Sequence, residues 1–184
     1  GQDACSVSCA HFSANREIAD RLYRCGHRNF AFISGAATAP VSVQRKQGLV
    51  QRLQELGIAH VEVEEGDFSY RSGHDALLRL LARTQAVDAI VCANDDMAFG
   101  AMDAARYQLG KQVPQDLSIV GFDDVVSAER SPYQLTTVRQ PVADMARQAV
   151  ALLVERIETR DLPPVVILLP GALMLRQSAR ISLN

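Results

Sequence analysis

The sequence predicts an α/β fold, a doubly wound parallel sheet flanked by helices. Three observations carry this. Strand-like and helix-like segments alternate along the whole chain with short links between them. Short runs such as Phe30–Ile33 and Ala89–Ala93 are apolar throughout, as strands covered on both faces are. Between them lie segments with apolar residues at three- and four-residue spacing, several of them stopped by a glycine: Gly26, Gly57 and Gly110.

Taken in order, Ser13 is placed to cap a helix carrying Ile18, Leu22 and Cys25, which Gly26 ends. Phe30–Ile33 is a strand with Ser34-Gly35 as its exit, and a loop at Pro40 leads to a helix bearing Leu49, Leu53 and Leu56. Val61–Val63 alternates with glutamates, the pattern of a half-exposed or edge strand. After the loop Gly66-Asp67-Phe68, Ser69 is suited to cap a helix with Leu77, Leu80 and Leu81 inward. Ala89–Ala93 is a strand, Asp95–Leu109 a helix, Leu117–Phe122 a strand and Thr136–Arg139 a further extended piece. Pro141 suits the first turn of a helix reaching Glu158, and Val165–Leu169 is a last strand.

At 184 residues the chain has room for one substantial core. Its net charge of −2, with no basic tract, gives no nucleic-acid footprint. No apolar run approaches the roughly 20 residues of a membrane span. The start GQDACSVSCA does not read as a secretory signal. Of the cysteines, Cys25 and Cys92 sit in apolar elements and read as core; Cys5 and Cys9 are close enough to pair or share a metal, with no second close pair to support it. A reduced, cytoplasmic setting is the default expectation.

In parallel sheets ligands bind beyond the carboxyl ends of the strands. That rule gathers Arg45, Phe68, Asn94, Asp123 and Gln140 at one rim. A guanidinium fork, a carboxylate, two amides and an aromatic face suit a small polar ligand. Each has a blander reading: Asp95 and Asp96 open a helix, where carboxylates cap and meet the dipole, and an isolated Arg45 would ordinarily be a surface residue. Catalytic patterns are thin, with no phosphate-cradling P-loop, no G-x-S-x-G and no H-E-x-x-H. One enzyme-like alternative is a Mg²⁺-dependent phosphoacceptor using Asp95, Asp96, Asp123 and Asp124, although such chemistry also wants a lysine at a neighbouring strand end.

The segments RCGHRNFAFISG, AIVCANDDMAFGAM, VPQDLSIVGFDD and LTTVRQP, in this order, resemble the effector-binding domain of the lactose-repressor/galactose-repressor family of transcriptional regulators. The resemblance implies a type I fold like that of periplasmic binding proteins, with residues 12–136 and 164–184 forming the carboxy-terminal lobe. It implies that helix 141–158 belongs to a mostly absent amino-terminal lobe and that the DNA-binding headpiece lies outside the chain. It places effector contacts on Arg45, Phe68, Asn94, Asp123 and Gln140, and a homodimer surface near Tyr70, Phe99, Met102 and Ser131. The implied effector is a sugar or sugar derivative, with purines also occurring. The implied partner is operator DNA, reached through the headpiece; no cofactor, catalysis or membrane is implied. A periplasmic-type sugar-binding protein is the alternative with the same fold. Ala39-Pro40-Val41 and Ala14-Asn15 depart from the family pattern, which leaves the effector's identity open. The 141–158 helix carries an apolar stripe of Val142, Met145, Ala146, Ala149, Val150, Leu153 and Ile157, expected to pack on another chain or fold back on its own.

Overall fold

The computed structural model describes residues 4–84, 86–159 and 162–181; the last three residues of the expected 164–184 segment lie outside them. Among the described residues, eight strands and five α-helices follow one another: β1 (Ser6–Cys9), α1 (His11–Arg24), β2 (Phe30–Ser34), α2 (Pro40–Glu55), β3 (Val61–Glu65), α3 (Tyr70–Arg83), β4 (Ala89–Cys92), α4 (Asp95–Asp103), β5 (Ser118–Val120), β6 (Thr137–Arg139), α5 (Val142–Glu158), β7 (Val166–Leu169) and β8 (Ala172–Met174).

The main sheet is parallel, in the order β3-β2-β4-β5. Parallel bridges Val120–Thr136 and Asp123–Arg139 continue it toward β6, which pairs antiparallel with β8. β2 and β4 are buried along their whole length, so their apolar runs are core. β3 alternates because it is the edge. Helices α1 and α2 pack together, as do α3 and α4. Close helix packing rests on small residues: a Cβ on Gly100 would sit 2.0 Å from the Tyr70 carbonyl oxygen, and one on Gly73 2.2 Å from that of Met97.

Several expectations shift. α1 begins at His11, and Ser13 does not cap it; its hydroxyl donates back to the Ala10 carbonyl. Gly26 does end this helix, at φ +95, with its N–H on the Tyr23 carbonyl. Ser69 caps α3 by accepting from the Ser72 N–H. The expected 95–109 helix is α-helical only to Asp103 and continues as a π-helical turn, Ala104–Gln108. β1 and β8 were not anticipated: three or four residues give too short a pattern to distinguish from loop. β7, expected in the main lobe, pairs instead with β1 in a separate two-stranded parallel sheet, and α5 packs on both.

The α5 stripe is mostly uncovered. Val142, Val150, Leu153 and Ile157 are more than half exposed; Leu152, outside the named stripe, is the buried residue of the helix. The face turned to β1 is therefore the one carrying Leu152. The expectation that the stripe folds back on its own chain is corrected accordingly.

Candidate functional site

The chain runs from β2 to β3 on one side of the sheet and returns to β4 on the other. The connections leaving β2 and β4 thus diverge, and in parallel sheets the carboxyl ends at such a divergence are where ligands bind. The expected polar residues converge there, in two hydrogen-bonded groups that meet at Ala93.

The first group is centred on Arg45. It is 4% exposed, a buried residue of α2, which corrects the reading of an isolated surface arginine. Its Nη2 donates to Asp123 Oδ1 at 3.3 Å, Nη1 to the Ala93 carbonyl and Nε to His11 Nδ1 at 3.2 Å. The guanidinium carbon stacks 3.7 Å from the centroid of the Phe122 ring. Burial pulls the Arg45 pKa down while the Asp123 charge opposes it; a guanidinium stays protonated throughout. Asp123 Oδ1 also accepts from Gln140 Nε2 at 2.7 Å. Burial raises the Asp123 pKa, against the pull of Arg45 and Gln140.

The second group is Asn94 and Phe68. Asn94, and not Asp95, caps α4: its Oδ1 accepts from the Met97 N–H at 3.1 Å. Its Nδ2 donates to the Phe68 carbonyl at 2.9 Å, tying the β4 end to the loop after β3. Phe68 sits at φ +72, and its ring lies over Gly35, where a Cβ would approach to 2.1 Å. Gly35 leaves the room in which that ring lies. Asp123 and Asp124, at φ +123 and +59, share the left-handed backbone region. Non-glycine residues held there concentrate at functional sites.

Asp95 does something else. It is 1% exposed, accepting from Thr137 Oγ1 at 2.5 Å and from the Val125 N–H at 2.9 Å, while its own N–H donates to the Phe122 carbonyl. One carboxylate thus clamps the ends of β4, β5 and β6. Burial pushes its pKa up to about 6, against its hydrogen bonds. Asp124 pairs with Arg139 at 2.6 Å and Arg176 at 2.7 Å, and Asp96 is exposed. Asp95, Asp123 and Asp124 therefore have separate partners, and no cluster of three or more metal-ligating side chains forms among the described residues.

His11 was missed. In the sequence it is one of four scattered histidines, and only the fold brings it beside Arg45.

The expected dimer residues divide. Tyr70 and Ser131 are exposed, with Tyr70 donating to Asp103 Oδ2 at 2.7 Å. Met102 is fully buried and Phe99 5% exposed, its ring packed 4.4 Å from that of Tyr133. Both are core of the single chain, because α4 turns that face to α3 and the sheet; their expected place on a contact surface is corrected.

Residues 19–179 match the periplasmic binding protein-like domain family. The chain is 37% identical over 174 residues to the HTH-type transcriptional regulator CelR of Thermobifida fusca, covering 94% of this chain and 51% of that protein. It is 33% identical over 177 residues to the HTH-type transcriptional repressor CytR of Escherichia coli K12, covering 95% and 52%. The chain spans about half the length of these curated relatives. Among solved structures, a transcriptional regulator CelR–cellobiose complex superimposes with a TM-score of 0.91 at 35% identity, over 97% of this chain and 55% of that one. A LacI family transcriptional regulator from Enterococcus faecium with bound ribose gives a TM-score of 0.86 at 25% identity, over 97% and 66%. The chain belongs to the periplasmic-binding-protein-like effector domains of the lactose-repressor/galactose-repressor family of transcriptional regulators.

Proposed function

We propose that this chain is the effector-sensing part of a DNA-binding transcriptional regulator, and that Arg45, Phe68, Asn94, Asp123 and Gln140 form its half of the effector site. The observation that carries this reading is the Arg45–Asp123–Gln140 chain at the divergence of the β2 and β4 connections. A buried guanidinium costs several kcal/mol to desolvate. A fold that keeps one at the strand ends, beside a carboxylate that is 27% exposed, has a donor and an acceptor ready for neighbouring hydroxyls. The aromatic ring of Phe68 supplies an apolar face for a sugar.

A sugar is the first candidate, since CelR and the Enterococcus faecium regulator were solved with cellobiose and ribose. The effector would act only through unequal affinity for two arrangements of the lobes. β1, α5 and β7 would be the portion of the second lobe within this chain. DNA would be bound through a headpiece beyond these residues, by a homodimer whose surface includes Tyr70 and Ser131. A catalytic role has little support in the side chains. Asp88, His27 and Ser118 do line up, with His27 3.2 Å from each, but at the opposite ends of the strands. Ser118 is fully buried and its Oγ accepts from the Arg180 N–H, so this hydroxyl does not face solvent.

The test is a calorimetric screen of mono- and disaccharides and purine nucleosides against the full-length regulator, beside Arg45→Ala and Asp123→Ala. Micromolar binding by the wild type, lost in both variants, supports the assignment. A ligand that binds both variants with wild-type affinity refutes it.

A further inference from the structure

His11 lies between two elements that the effector site does not itself join. Its ring is 3% exposed and packs 5.3 Å from that of Phe122, the ring on which Arg45 stacks. Nδ1 faces Arg45 Nε at 3.2 Å, and Nε2 faces Ser8 Oγ, on β1, at 3.3 Å. Chemistry assigns the tautomer. A guanidinium can only donate, so Nδ1 must carry the lone pair. The ring proton is then on Nε2, where it donates to the Ser8 hydroxyl. Arg45 has three fixed acceptors: Ala93 just after β4, Asp123 after β5, and His11. All three bonds lie in the guanidinium plane, and the one on Nε, with the Phe122 ring beneath, holds the end of the fork nearest the side-chain stem.

We propose that His11 is a positioning residue that sets the orientation of the Arg45 guanidinium and ties it through Ser8 to β1. The role in ligand binding rests on the reading of Arg45 as an effector contact; the orientation of the guanidinium does not. A neutral acceptor suits the task. A carboxylate here would compete with Asp123 for the guanidinium charge, whereas imidazole holds Nε and leaves the fork to Ala93, Asp123 and the ligand. His11 opens α1 immediately after β1. Any shift of β1 relative to the main sheet would therefore pull on the third acceptor of Arg45.

The test uses ¹⁵N-edited NMR of the 184-residue chain and its His11→Leu, His11→Asn and Ser8→Ala variants, with sugar binding measured in parallel on the full-length regulator carrying the same substitutions. In the wild type the ring should be the Nε2–H tautomer, and the Arg45 Nε–H should be slow to exchange. His11→Leu should speed that exchange about tenfold or more, as loss of one hydrogen bond to a charged group does. His11→Asn, whose carboxamide oxygen can replace Nδ1, should restore it, which a merely structural role would not produce. Ser8→Ala should raise the Nδ1–H population; an unchanged tautomer removes Ser8 from the proposal. An Nδ1–H ring in the wild type, or unchanged Arg45 exchange in His11→Leu, overturns the positioning role. If no sugar or nucleoside binds the wild type while the NMR results hold, the effector reading fails and the positioning stands. If cellobiose or ribose binds wild type and His11→Leu equally, the contribution of His11 to binding is refuted.

Discussion

The guanidinium of Arg45 is stacked on the ring of Phe122, 3.7 Å from its centroid, while its Nη2 reaches past the ring to Asp123 at 3.3 Å. Stacking and pairing together need a flat, permanently charged fork, so lysine is no substitute. Arg45→Met leaves Asp123 without its cation and the Ala93 carbonyl and His11 Nδ1 without a donor. Breaking a buried pair costs about 3–5 kcal/mol, and the partial exposure of Asp123 places this case near the lower bound. Arg45→Lys should recover less than half of the loss. Urea denaturation of the three proteins at neutral pH measures both.

Asp95 clamps three strand ends, and removing it orphans two donors. Asp95→Ala leaves the buried Thr137 hydroxyl unpaired, at about 1–3 kcal/mol, and frees the N–H of the exposed Val125, which water can satisfy at lower cost. The loss should appear as a lower denaturation midpoint and as faster hydrogen exchange of the Val125 amide. An Asp96→Ala variant, altering an exposed neighbour, should stay within about 0.5 kcal/mol of wild type.

His11 and Asp95 titrate against each other. Burial, then the Arg45 charge, lowers the His11 pKa from 6.5 to about 4, so between those values the unfolded chain binds a proton that the folded chain refuses. The His11 contribution to stability is complete above pH 6.5 and is lost as the pH falls toward 4. Asp95 has the opposite sign: its pKa rises from 3.8 to about 6, so the folded chain takes up the extra proton and the cost of the buried charge is relieved as the pH falls through that window. His11→Gln should therefore gain stability relative to wild type on going from pH 7 to pH 4.5. Asp95→Asn should lose it over the same range. Parallel curves for wild type and His11→Gln would contradict the assignment.

Glycines separate binding from folding. Gly35→Ala meets the flexible end of the Phe68 side chain, so the ring should swing away with a stability change under about 1 kcal/mol and a weakened aromatic contact with ligand. Gly100→Ala instead meets the Tyr70 backbone at 2.0 Å, where nothing can yield. Its cost should reach or exceed the 1–3 kcal/mol or so typical of overpacking. Thermal melts beside a sugar titration distinguish the two outcomes.

The uncovered face of α5 should promote association. Val150, Leu153 and Ile157 are 62%, 61% and 71% exposed, and burying each such side chain is worth about 1.5–3 kcal/mol. Replacing all three with serine should lower self-association of the 184-residue chain in sedimentation velocity without lowering its unfolding midpoint, since none packs in the core.

What could be read from the residues was what depends on pattern. Phe30–Ile33 and Ala89–Cys92 are apolar throughout because both faces are covered, and Gly26 and Gly57 stop helices because their φ is positive. The strand-end rule then placed Arg45, Asn94 and Asp123 on one rim. What could not be read depends on distant partners. Asp95 and Asn94 are adjacent polar residues at a helix start, and only the arrival of Thr137 and Val125 makes one a clamp and the other the cap. β7 looks like any short apolar strand; its partner β1 lies some 160 residues earlier in register, Ser6 with Val166. The burial of Phe99 and Met102 follows from the rotation of α4 about its axis, which an apolar helix without a polar face does not declare.

The most direct measurement is a crystal structure of the full-length regulator with a sugar found by the calorimetric screen. Neighbouring ligand hydroxyls within hydrogen-bonding distance of both the Arg45 guanidinium and the Asp123 carboxylate, with the Phe68 ring against the sugar, are the predicted result. A ligand bound at another surface, with Arg45 and Asp123 paired only to each other, would contradict it.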